Sequence, residues 1–116
     1  MIGTVVIAQS VLEEAIAERE RLVTDAEVLR EIMHRYTAIE RLDAVQPAFD
    51  ALLGVVDDVY PVELADVERA RAVLLGGLGL SARDAIHIAV MQRRGVAEVM
   101  SFDGDFDRFP GLVRRS

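Results

Sequence analysis

Three acids stand where this sequence can concentrate negative charge. Asp84 lies in Leu80-Ser81-Ala82-Arg83-Asp84-Ala85-Ile86-His87-Ile88-Ala89, Asp103 closes the run Gly95-Val96-Ala97-Glu98-Val99-Met100-Ser101-Phe102-Asp103, and Glu31 comes three residues before His34. Asp84 falls in the first turn of a predicted helix, where backbone N–H groups and the helix dipole favour an anion. That helix is apolar at Ala85, Ile86, Ile88, Ala89 and Val90, so the carboxylate sits near buried ground and needs a partner. Asp103 follows a predicted strand directly, at the carboxyl end of a sheet, where open α/β folds bind ligands. Each acid also has a plain reading: dipole stabilisation for Asp84, turn initiation before glycine for Asp103, and a solvated helix position for Glu31. Together they suit hard divalent cations. Carboxylates holding Mg²⁺ or Mn²⁺ leave water on the metal, lower its pKa and clamp a phosphodiester for in-line attack, which is nuclease chemistry.

Other chemistries fit less well. Asp103-Gly104-Asp105-Phe106-Asp107 copies the opening acid spacing of a calcium loop, but Arg108 and Arg114 stand where that loop needs glycine and glutamate. Glu31-x-x-His34 and Asp84-x-x-His87 have the spacing of di-iron ligands, an architecture that needs four long helices and is opposed by Gly76, Gly77, Gly79, Gly95 and the β-branched run near 96–102. Ser10, Ser81, Ser101 and Ser116 lack the Gly-x-Ser-x-Gly elbow of a serine hydrolase. His34 and His87 read as packing or hydrogen-bonding residues rather than ligands.

The bulk composition narrows the classes. A chain of 116 residues, 52% apolar and 28% charged, is expected to form one domain over residues 1–116. With no cysteine there are no disulfides, thiolate nucleophiles or zinc–sulfur sites. All thirteen basic residues are arginine, which excludes a catalytic lysine. A net charge of −7 argues against passive nucleic-acid binding, though not against an enzyme whose carboxylates are neutralised by metal. No apolar run reaches the ~18 residues of a membrane span and no signal peptide is visible, so a cytoplasmic location is expected.

The elements that must position the acids alternate. Thr4 to Ala8 is a short strand or frayed start, and Val11 to Arg21 has helical spacing. Thr24-Asp25-Ala26-Glu27 fits a capping box opening a helix to about Arg41, with Val28, Leu29, Ile32, Met33, Tyr36 and Ile39 on one side. Asp43 is read as the cap of a helix with Phe49, Leu52 and Leu53 inward, ending near Gly54. A short strand near Val59 to Val62 carries a proline suited to an edge. A helix over 63–75 follows, with Leu64, Val67, Ala70, Val73 and Leu74 inward. Ser81 caps the Asp84 helix, which ends at Gly95; a strand covers Val96 to Phe102, and a last one includes Leu112 and Val113. This alternation predicts βαβ units and a parallel sheet.

These residues resemble a known family. The segments 80–89, Gly95, Val99 to Asp107 and Phe109-Pro110-Gly111 are similar to the C-terminal half of a PIN-domain ribonuclease of the VapC toxin type, and Leu22 to Glu31 resembles that family's second block. The resemblance covers roughly residues 10–113. It implies an α/β, Rossmann-like fold with helices around a parallel sheet, Mg²⁺- or Mn²⁺-dependent cleavage of RNA, a homodimer, and inhibition by a cognate antitoxin. Carried over by motif, Glu31, Asp84 and Asp103 are the catalytic and metal-site acids, with Ser101 beside them and Asp105 and Asp107 peripheral. The family opens on a strand ending in Asp followed by Thr or Ser; here Ala8 and Gln9 fall at those places. The preferred alignment instead makes Ser10 to Glu20 the end of the first helix, which leaves the domain short of a strand and most of a helix and exposes a sheet neighbour. Reduced activity is then expected. The alternative function is a catalytically impaired PIN module that only binds an antitoxin or itself.

Overall fold

The computed structural model describes the backbone of residues 4–6, 21–100 and 113–115, and the side chains of residues 21–98. Strand β1 is Thr4–Val6. Strand β2, Leu22–Asp25, is buried along its whole length and leads straight into helix α1, Ala26–Ala38. A 3-10 turn at Leu42–Ala44 precedes α2, Val45–Leu53. Then come β3, Asp58–Tyr60, α3, Leu64–Leu75, α4, Ala82–Arg94, β4, Glu98–Met100 and β5, Val113–Arg115.

The strands form a parallel sheet in the order β3-β2-β1-β4-β5, flanked by helices as the sequence predicts. The chain builds outward from β1 to β3 and then returns to place β4 on the other side of β1. This reversal makes a switch point at the carboxyl edge between β1 and β4, a ligand-binding place in open α/β sheets. One expectation is corrected here. The sheet is not short of its central strand: β-branched Thr4, Val5 and Val6 fill it, pairing Val5 with Val23 on one side and with Val99 on the other. Ala8, Gln9 and the predicted helix near 10–20 lie outside the described residues.

Four further differences concern helix caps and helix faces. Thr24 does not cap α1. The strand continues through it to Asp25, whose carboxylate accepts from the Val28 N–H at 3.0 Å. Thr24 Oγ1 is buried without a hydrogen-bond partner among the described residues, and Glu27 turns to Arg30. On α3 the inward face is Asp66, Ala70 and Val73, while Leu64, Val67 and Leu74 are exposed. The close approach of Ala70 to Ala85 and Ala89 of α4 decides this, because small side chains let the two helices pack tightly, and Asp66 then meets Arg93. The Arg93 Nε and Nη2 donate to the two Asp66 oxygens at 2.6 and 2.8 Å, holding the Asp66 pKa below its ordinary value. Asp43 pairs with Arg41 instead of capping α2, and Met33, Ile39 and Leu53 are exposed rather than inward.

The core beneath the sheet edge is Val23, Tyr60, Leu80, Ile88, Val90, Met91 and Val96. Helix α4 supplies three of these. It starts at Ser81, whose hydroxyl accepts from the Asp84 N–H at 3.1 Å, and stops at Gly95, which takes a left-handed φ of 70°. Both ends match the sequence reading.

Candidate metal and catalytic site

The site begins where β2 becomes α1. Asp25 is fully buried, and capping occupies its Oδ1. Its Oδ2 faces His87 Nδ1 at 2.6 Å. His87 is one helical turn beyond Asp84 on α4, so the two side chains share a face. The other ring nitrogen, Nε2, lies 2.7 Å from Glu31 Oε1 on α1. Ionised carboxylates only accept, so a ring carrying both N–H protons satisfies both neighbours. Burial by itself pushes the imidazole pKa down. The hydrogen bonds it donates to Asp25 and Glu31, with the charges of those carboxylates, outweigh this and raise it to about 10. A carboxylate–imidazolium–carboxylate chain therefore links β2, α4 and α1.

Glu31 and Asp84 converge on one cationic group. Arg83 Nε is 3.6 Å from Glu31 Oε1 and 3.8 Å from Asp84 Oδ1. Asp84 is buried, Glu31 is partly open with 22% of its side chain exposed, and the Arg83 side chain is half exposed above them. Two hard oxygen donors thus share a position occupied by positive charge, and donors of this kind would hold Mg²⁺ or Mn²⁺ better than a soft metal. Among the described residues no group of three acids, histidines or cysteines could hold a metal ion. A three-acid site would need a further ligand, for which Asp103 is the sequence candidate.

Of the predicted residues, the structure brings Glu31 and Asp84 together. Asp103, Ser101, Asp105 and Asp107 lie outside the described residues. Sequence reasoning missed Asp25 and Arg83, and it left His87 as a structural residue without its partners. The signals were present: an acid at a strand-to-helix junction, and an acid-x-x-His pair on a mostly buried helix. His34 is exposed and joins none of this.

Comparison with known proteins agrees with this geometry. The PIN domain family matches residues 7–112. The chain is 60% identical over 107 residues to Ribonuclease VapC13 of Mycobacterium tuberculosis, covering 92% of this chain and 82% of that one. Among solved structures, Mycobacterium tuberculosis VapC20, described as a Sarcin-Ricin loop cleaving toxin, superposes with a TM-score of 0.68 at 27% identity, over 82% of this chain and 75% of that one. DNA-bound VapBC from Salmonella typhimurium gives 0.75 at 14% identity, over 99% and 98% of the two chains, a likeness of fold. Among the described residues no helix is long and apolar enough to cross a membrane. With a family match over most of its length, and Glu31 and Asp84 meeting at the carboxyl side of a parallel sheet, this chain belongs to the PIN-domain family, in its VapC branch.

Proposed function

We propose that this chain is a metal-dependent ribonuclease, the toxin of a toxin–antitoxin pair acting in the cytoplasm, with Glu31, Asp84 and Asp103 holding Mg²⁺ or Mn²⁺. The observation that carries the reading is the meeting of Glu31 and Asp84 at Arg83, in a chain 60% identical to a protein named as a ribonuclease. A divalent ion bound there would supply Lewis acidity, activating water and neutralising phosphodiester charge. The chain's own residues do the rest. Glu31 and Asp84 present oxygen ligands from two helices, Arg83 offers a half-exposed cation to the RNA backbone, and the family resemblance gives Ser101, Asp105 and Asp107 peripheral roles. The partners are RNA, a cognate antitoxin and a second copy of the chain. The exposed apolar side chains of Leu64, Val67, Leu74 and Leu75 on α3 support a protein partner on that helix.

A second reading, a module that binds its antitoxin without cleaving RNA, is favoured by Ala8 standing where the family places an Asp. RNA cleavage by the purified protein separates the two. Cleavage is expected with Mg²⁺, lost in chelator, and reduced in Asp84→Asn by at least about 100-fold, the upper end of what losing an outer partner of a metal ligand costs. Because water attacks rather than the ribose hydroxyl, the products should carry no 2′,3′-cyclic phosphate. Equal cleavage by parent and variant contradicts the enzyme reading, and a folded, antitoxin-binding parent without cleavage establishes the second.

A further inference from the structure

We propose that Asp25 and His87 are positioning residues that hold Glu31 in a fixed place relative to Asp84, so that the two carboxylates are set for one divalent cation before it arrives. This rests on the reading of Glu31 as a metal ligand.

The geometry builds from a rigid start. Asp25 is the last residue of a wholly buried strand, and its Oδ1 is fixed by the Val28 N–H. Its Oδ2 fixes the His87 ring through Nδ1 at 2.6 Å. The ring, 1% exposed, turns Nε2 onto Glu31 Oε1 at 2.7 Å. Glutamate has a long side chain with many rotamers, which a partly open site does not by itself restrict. His87 restricts it, and it does so from the helix that carries Asp84 three residues earlier. One side chain thereby sets the spacing between the two acids. His87 Nε2 and Arg83 Nε both approach Glu31 Oε1, so this oxygen is held from two sides. Partners of this kind orient a metal's ligands and tune its affinity.

The test pairs two substitutions of His87 that differ in reach. In His87→Gln the amide nitrogen lies near the Nε2 place and can still donate to Glu31. In His87→Asn it lies near the Nδ1 place, keeps Asp25 and stops short of Glu31. Mn²⁺ affinity is measured by calorimetry on the parent, both variants and Glu31→Gln, with circular dichroism to establish folding. The expected result is about a 10- to 100-fold loss of affinity in His87→Asn, recovery of most of it in His87→Gln, and a loss in Glu31→Gln at least as large as in His87→Asn. Parent-like Mn²⁺ binding by folded His87→Asn, beside a weakened Glu31→Gln, overturns the positioning role and leaves the metal reading standing. Parent-like binding by Glu31→Gln overturns both. Should the His87 variants fail to fold, ¹⁵N-histidine spectra of the parent during Mg²⁺ titration serve instead: a shift of the His87 ring nitrogens at saturation, with exposed His34 unmoved, supports the role, and an unmoved His87 ring overturns it.

Discussion

At the residue scale, Arg83 is the group whose charge bears most simply on the site. Its guanidinium lies within ion-pair distance of Glu31 and Asp84 and would compete with a divalent cation for them, and half exposure limits the strength of both contacts. Replacing it with glutamine should tighten Mn²⁺ binding by up to about fivefold, equivalent to roughly 1 kcal/mol, while weakening RNA cleavage if the same group meets a phosphate. Calorimetry and a cleavage assay on Arg83→Gln check the two halves separately. Asp84 is legible from its place in the first turn of a mostly apolar helix, and Glu31 only through the resemblance of Leu22 to Glu31 to the family's second block. The Asp25–His87–Glu31 chain is not legible. Its members are 62 and 56 residues apart, and nothing local says which two acids will flank a buried ring.

At the element scale, the ends of α4 are easier to read than the face of α3. Ser81 and Gly95 mark the ends of α4 by local backbone chemistry, and Gly95 adopts the left-handed φ that chemistry requires. Gly95→Ala should cost about 1 kcal/mol in chemical denaturation. The face of α3 depends on its neighbour. Helical spacing offers both the Leu64–Val67–Leu74 stripe and the Asp66–Ala70–Val73 stripe, and small residues on α4 select the second. Breaking the buried ion pair by Asp66→Asn should cost roughly 2 kcal/mol at pH 7, less than the ~3–5 of a fully buried pair because Arg93 keeps access to water. Arg93 holds the folded pKa of Asp66 below the 3.8 of an unpaired aspartate, so the unfolded chain takes up its proton first on acidification. The stabilisation is complete above about pH 5 and is lost as the pH falls through the lowered value. The stability gap between parent and Asp66→Asn should therefore close below about pH 4, as urea titrations across pH would show.

At the scale of the whole molecule, alternating helices and strands make the parallel sheet legible, but not its order. Which strand takes the centre is settled by long-range pairing, and Thr4–Val6 takes it with partners from both halves of the chain. A strand of three residues, ahead of a segment whose sequence has helical spacing, carries too little local signal to announce that role. Its consequence is functional. With β1 central, the strand order reverses where α1 and α4 bring Glu31 and Asp84 together; Asp103, three residues past β4 in the sequence, lies outside the described residues. On the proposal above, Glu31, Asp84 and Asp103 form one divalent-cation site. A ligand that binds the folded state alone raises its melting temperature. Mn²⁺ should accordingly raise the melting temperature of the parent protein, with most of that gain gone in Asp103→Asn; no shift in the parent, or an equal shift in Asp103→Asn, would contradict the claim.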